Sequence, residues 1–112
     1  MNEIQIIRNN TLRKFDYITR SHVNCIRLRK CNNANDYEHE RIKKDLCFEL
    51  FKSGIDFLTE ATLDSKEKVI ADIVALDLNQ VIEIPITETK ESLEKKERIY
   101  KSYDLNFQIK GN

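Results

Sequence analysis

Two glycines, one proline and no tryptophan in 112 residues exclude a collagen-like, glycine-rich or disordered chain. No apolar stretch approaches the roughly 20 residues of a membrane span, and the N-terminus lacks the unbroken apolar core of a signal peptide. The expected location is therefore the cytoplasm, or the host cytoplasm if the chain is viral, with no membrane partner. A charge surplus is missing too. With 19 basic and 19 acidic residues the net charge is zero, so there is no global sign of nucleic-acid binding. Three cysteines, Cys25, Cys31 and Cys47, cannot all pair within one chain, and nothing points to export, so reduced thiols are expected. His22, Cys25, Cys31 and His39 form a spaced series without a CxxC pair, which departs from the short paired spacings of structural zinc sites.

What remains is 40% hydrophobic and 34% charged, the balance of one soluble domain over residues 1–112. The charge is unevenly spread. Residues 1–30 hold seven basic groups (Arg8, Arg13, Lys14, Arg20, Arg27, Arg29, Lys30) against Glu3 and Asp16. Interleaved with Phe15, Tyr17 and Ile26, the run from Arg13 to Lys30 reads as a basic strand pair that offers Arg and Lys to phosphates, or as a solvated face.

Short strands are expected at 4–8, 12–18 and 23–30, which makes residues 1–34 a basic N-terminal β extension. The polar loop Cys31–Asp36 then supplies helix N-caps. Ile42, Leu46, Leu50 with Cys47 and Phe51 recur at spacings of four, predicting a helix over 37–53 that Gly54 ends. Strands follow at 55–62, 69–77 and 80–87. Thr87 or Thr89 can cap a second helix with Leu93, Tyr100 and Tyr103 as its apolar stripe, and 105–110 closes as a strand. The order from residue 37 is α-β-β-β-α-β.

The strands over 69–77 and 80–87 each carry one carboxylate, Asp72 and Glu83, inside an apolar run. A buried charge without a partner is costly, so the pair points to a shared cation such as a divalent metal. If Leu78 and Asn79 form a two-residue turn, Val74 faces Glu83 and Asp72 faces Pro85. The two acids are then diagonal neighbours on one face, with Cβ atoms roughly 7 to 8 Å apart. Ile82, Ile84 and Ile86 make the opposite face apolar as well, so both faces should be covered by helices. A lone pair of surface acids neutralised by Lys or Arg is the plainer alternative.

This layout, with Asp72 in the second core strand, ten intervening residues and Glu83 opening the third, resembles the PD-(D/E)XK superfamily of restriction-endonuclease-like nucleases. The likeness covers residues 37–110 and extends to archaeal Holliday-junction resolvases and to short nuclease-like proteins of archaea and their viruses. It implies an α/β (α+β) chain with an αβββαβ core over 35–112 and a mixed central sheet flanked by helices. It also implies Mg²⁺ or Mn²⁺ held by Asp72 and Glu83, and DNA as substrate.

One signature position differs. The family's lysine two residues after the Glu is Pro85 here, which can neither orient water nor neutralise a phosphate, and which ends or bulges its strand. Lys90 near the second helix or Lys43 on the first are the substitutes expected. At about 100° per residue, His39 and Lys43 fall on the apolar stripe of the first helix and Glu40 at its margin, so His39 or Glu40 can complete a metal site, with Glu60 as a further ligand. A single His on such a stripe serves equally as a hydrogen-bonded core residue. Two readings follow: a divalent-metal-dependent DNA endonuclease, or a non-catalytic descendant of that fold acting as a DNA-binding or regulatory module. A small nuclease that cuts both strands is expected to pair as a homodimer.

Overall fold

The computed structural model describes residues 1–16, 18–64 and 66–111. Its elements are α1 (Glu3–Leu12), α2 (Ala34–Lys52), β1 (Phe57–Leu63), β2 (Val69–Ala75), β3 (Gln80–Glu83), α3 (Lys90–Ser102) and β4 (Asn106–Ile109). From α2 onward the order is the α-β-β-β-α-β expected from the sequence. The sheet runs β1-β2-β3-β4, antiparallel at the first two junctions and parallel at the last, so the chain is an α+β fold with a mixed sheet.

Local chemistry sets the helix ends. Asn33 caps α2 by accepting the Asp36 N–H at 2.9 Å. Gly54, at φ +75°, lets Ile55 N–H return to the Leu50 carbonyl at 2.9 Å, which closes the last turn. Of the two candidate caps of α3, Thr89 takes the role by accepting the Ser92 N–H.

The apolar faces are covered as expected. Cys47 on α2, with Ile42, Leu46 and Leu50, packs on Phe57, Ile73, Ala75, Ile82 and Ile84. On the other face Tyr100 of α3 packs with Leu58, Val74, Leu76 and Val81, and its ring stacks on Phe107 at 5.9 Å. Phe51 departs from the expected stripe and is largely exposed. No helix of the described residues is long and apolar enough to cross a membrane.

The N-terminal β extension is not present. Residues 4–8 and the start of 12–18 are helix α1, and the rest of that second stretch contributes one isolated bridge, Phe15 to Leu63; Tyr17 lies outside the described residues. Asn2 and Gln5 form a reciprocal capping box that starts α1 and overrides the β preference of Ile4, Ile6 and Ile7. The helix docks by polar contacts: Arg8 Nε lies 2.6 Å from Asp77 and 3.1 Å from Asp56, and the buried Thr11 hydroxyl meets Asn79. Residues 23–30 join no ladder, and Asn24 turns the chain at φ +61°, which breaks the expected strand. They form a strap along the free edge of β1, tied by Asn24 N–H to the Phe57 carbonyl and by Thr59 Oγ1, which donates to the Cys25 carbonyl and accepts the Arg27 N–H.

Two strands are shorter than expected, and the register between them differs. β2 stops at Ala75 because Leu76–Leu78 form a short 3-10 turn, with Asn79 in the left-handed region at φ +49°. A longer turn shifts the pairing by two residues: Val74 faces Val81 and Ile73 faces Ile82. The next pair in that register is Asp72 with Glu83, directly opposite rather than diagonal. β3 ends at Glu83, two residues ahead of Pro85.

Candidate functional site

Where the β2–β3 ladder stops, two carboxylates take over from the backbone. Glu83 Oε2 accepts the Asp72 N–H at 2.9 Å, and Asp72 Oδ2 accepts the Ile84 N–H at 2.8 Å. Each acid therefore spends one oxygen on holding the strand ends together and has one left. Asp72 Oδ1 turns toward α2 and the strap, 2.9 Å from Arg29 Nη2 and 3.3 Å from His39 Nε2. Glu83 Oε1 turns toward α3, 3.2 Å from Lys96 Nζ, but in an orientation that makes no hydrogen bond. Glu83 is wholly buried, so this oxygen is a buried acceptor without a donor aligned to it.

α2 and β1 add a second layer. Glu40 Oε1 accepts from Lys43 Nζ at 2.5 Å and from Arg29 N–H at 2.8 Å, and Glu40 Oε2 lies 2.5 Å from His39 Nδ1. Period two would put Glu60 on the side of Leu58. Its φ of +50° instead turns it toward α2, where it meets Lys43 at 3.3 Å and Arg29 at 3.1 Å. A non-glycine residue in that conformation is strained by about 1 kcal/mol or more, and such strain concentrates at functional sites. Above these groups lies a cleft of about 220 Å³ lined by Arg29, Lys30, His39, Asp72, Glu88 and Lys96 among others.

The electrostatics divide the two central acids. Burial, with the neighbouring Asp72 charge, pushes the Glu83 carboxyl up to about 8. Burial acts in the same sense on Asp72, but hydrogen bonds from His39 and Ile84 N–H with the charges of His39 and Arg29 outweigh it and hold Asp72 below the usual range. His39 is raised: burial disfavours its charge, but Asp72 and Glu40 on its two ring nitrogens more than compensate. Lys96 is raised as well, since Glu88 and Glu83 offset its burial.

The structure gathers Asp72, Glu83, His39, Glu40 and Lys43 into one cluster, and the left-handed backbone at Glu60 adds that acid to it. Neither expected lysine substitute reaches the cleft. Lys90 is 90% exposed and reaches only Glu94 at 4.0 Å. Lys43 is fully buried beneath Glu40 and Glu60, with a further bond to the Arg27 carbonyl at 2.6 Å, and faces no cleft. Its role is cohesion between α2, β1 and the strap. We expect Lys43→Met to lower unfolding free energy by about 3–5 kcal/mol, because it leaves buried carboxylates short of a partner. Urea titration checks this, and a loss below about 1 kcal/mol would mean that the acids are solvated.

The lysine that reaches the acids is Lys96, whose signal was in the sequence. It lies three residues after Leu93 and four before Tyr100, on the apolar stripe of α3, and Glu88 steers it with a 2.7 Å contact. The basic set meets a different fate. Arg29 enters the acid cluster, Lys14 is bound to Asn79 and the Asp104 carbonyl, and Arg13, Arg20, Arg27 and Lys30 lie exposed on separate parts of the helix end, turn and strap rather than on one strand face.

For a metal, the donor chemistry is mixed. Among the described residues no three His, Cys, Asp or Glu side chains are grouped to hold an ion by themselves, because Arg29 and Lys43 stand between the outer acids. Asp72 Oδ1 and Glu83 Oε1, which makes no hydrogen bond, remain as a two-carboxylate pair. That number suits Mg²⁺, which takes one or two carboxylates and completes its shell with water and substrate phosphate. Among the described residues the His22, Cys25, Cys31 and His39 series is not grouped to hold zinc: His22 is engaged with Thr19 and His39 with Glu40 and Asp72. No protein-family model, no curated protein and no solved structure matches this chain.

Proposed function

We propose that the protein is a divalent-metal-dependent nuclease of the PD-(D/E)XK type, acting on DNA, with Asp72 and Glu83 as the metal ligands. The observation that carries this reading is the register. It brings the two acids together one position beyond the Ile73–Ile82 pair, at the open end of the β2–β3 ladder, with one oxygen of Glu83 buried and met by Lys96 at 3.2 Å without an aligned hydrogen bond. Bound there, Mg²⁺ or Mn²⁺ would supply an activated water and charge neutralisation at a phosphodiester.

The chain's own residues supply the rest. Lys96 places a cation beside Glu83 from α3, in the role that Pro85 leaves open, and offsets charge that builds on the phosphate. Glu88 holds Lys96 in place and keeps it charged. Asp72 and Glu83 each brace the other's strand, so the ligand oxygens are oriented before any ion arrives. Arg29 and Lys30 at the cleft are the groups available to substrate phosphates. His39, held between Glu40 and Asp72, orients Asp72 Oδ1.

Plasmid, junction and single-stranded DNA with Mg²⁺, Mn²⁺ or EDTA provide the test, wild type beside Lys96→Met. Cleavage should vanish with EDTA and fall by about a hundredfold or more in Lys96→Met, the scale of losing one group that stabilises developing charge. Full activity in Lys96→Met would return the lysine role to another residue. A homodimer belongs to the same proposal, and light scattering that finds only a 13.3 kDa species would remove it.

One observation favours the non-catalytic alternative. Arg29 already neutralises Asp72, and Pro85 stands at the motif lysine, so the acids have cations without a metal. Absence of cleavage with either ion, alongside DNA binding that Asp72→Asn leaves unchanged, would establish it.

A further inference from the structure

Arg29 is the one cation of the cluster that comes from solvent. Its side chain is 49% exposed, whereas that of Lys43 is wholly buried and that of Lys96 largely so. The strap delivers it: Arg27 is pinned to Thr59 and Lys43, and Arg29 N–H to Glu40, which aims the guanidinium across the cluster. There it spans carboxylates from three elements, at 3.6 Å from Glu40, 3.1 Å from Glu60 and 2.9 Å from Asp72.

The oxygen it takes on Asp72 decides its significance. Oδ2 is committed to the Ile84 N–H, so Oδ1 is the one a metal must use, and Oδ1 is the one Arg29 holds. His39 Nε2 lies on the same oxygen at 3.3 Å, so both of its lone pairs are engaged and a divalent ion must displace one donor; the guanidinium, whose charge repels the ion, is the one with a way out to solvent. Lys96 poses less obstacle, since it sits beside Glu83 without an aligned hydrogen bond to it.

We propose that Arg29 is a built-in plug: a divalent ion enters the Asp72–Glu83 pair only by exchange with the Arg29 guanidinium. This rests on the metal-binding reading above. The exchange has somewhere to go, because Arg29 and Lys30 line the cleft and the displaced guanidinium swings toward solvent. A phosphodiester in the cleft would compete with Asp72 for the same guanidinium. Metal and nucleic acid should therefore each strengthen the binding of the other.

Mn²⁺ titration followed by the loss of the free-ion EPR signal tests this, on full-length wild type, Arg29→Gln and Asp72→Asn, each first verified as folded by circular dichroism. Arg29→Gln should bind Mn²⁺ about tenfold more tightly than wild type, a typical coupling between two linked events. Equal or weaker affinity in Arg29→Gln would overturn the plug while leaving metal binding intact. Undetectable Mn²⁺ binding at millimolar concentration in wild type and Arg29→Gln alike would overturn the metal reading and the plug with it. A second readout needs no variant: in wild type, the Arg29 Nε–H resonance should shift as Mg²⁺ saturates the site. A resonance that stays put while Mg²⁺ binds would also overturn the plug.

Discussion

Asp72→Asn is expected to abolish divalent-ion binding and to cut phosphodiester cleavage by at least about a thousandfold. A metal contributes several kcal/mol of transition-state stabilisation, and about 1.4 kcal/mol corresponds to each tenfold in rate. Asn is preferred over Ala because it keeps an oxygen for the Ile84 N–H, which is buried and would otherwise lose its acceptor at a cost of about 1–3 kcal/mol. The fold should therefore survive the change, which separates loss of chemistry from loss of structure. Calorimetry with Mn²⁺ and a cleavage assay on the same samples check both halves. Metal binding retained in Asp72→Asn would place the ion elsewhere and dismantle the proposed site.

The second large effect is on stability against pH, with the metal removed. Folded Glu83 keeps its proton up to about pH 8, whereas an unfolded glutamate loses it near 4.5. Between those values the unfolded chain binds fewer protons, so Glu83 makes stability fall as pH rises, by at most about 1.4 kcal/mol per pH unit. Glu60, also raised by burial, acts in the same direction just above its ordinary value. His39 adds to it: its raised pKa contributes stability that is complete below 6.5 and lost as pH climbs through the folded value. Asp72 works in a different window. Its depressed pKa contributes stability above 3.8 that disappears as pH falls through the folded value.

Together these make the metal-free protein lose stability as pH rises from mildly acid toward 8, and Asp72 makes it lose stability in stronger acid. Urea denaturation in EDTA at pH 5, 6.5 and 8 measures it, and Glu83→Gln should flatten the slope. A divalent ion should restore stability at pH 8 by about 2.7 kcal/mol at a hundred times its dissociation constant, because it binds the ionised form. Stability that is level or rising from pH 5 to 8 would show that Glu83 is ionised in the metal-free fold.

Much of the architecture is written in local patterns. The four-residue spacing of Ile42, Leu46 and Leu50, the Asn33 cap and the Gly54 stop define α2 because each acts within a turn or two of chain. The apolar alternation around Asp72 and Glu83 marks β2 and β3, and the helical stripe brings His39, Glu40 and Lys43 toward them. Lys96 was equally readable on the stripe of α3. At the N-terminus Ile4, Ile6 and Ile7 favour strands, but the reciprocal Asn2–Gln5 cap decides for a helix.

The sequence by itself determined the order of elements from α2 to β4 and the approach of His39, Glu40 and Lys43 to Asp72 and Glu83, since periodicity assigns those side chains to a face. Tertiary structure alone decided three things. The 3-10 turn at Leu76–Leu78 moved the register by two and set Asp72 opposite Glu83. The left-handed backbone at Glu60 turned that acid to the α2 side. The strap carried Arg29 into the cluster from 43 residues away in sequence. None of these obeys a period. Turn length, a single strained dihedral and a long-range ion pair are settled by what packs around them, and the neighbours exist only once the chain has folded.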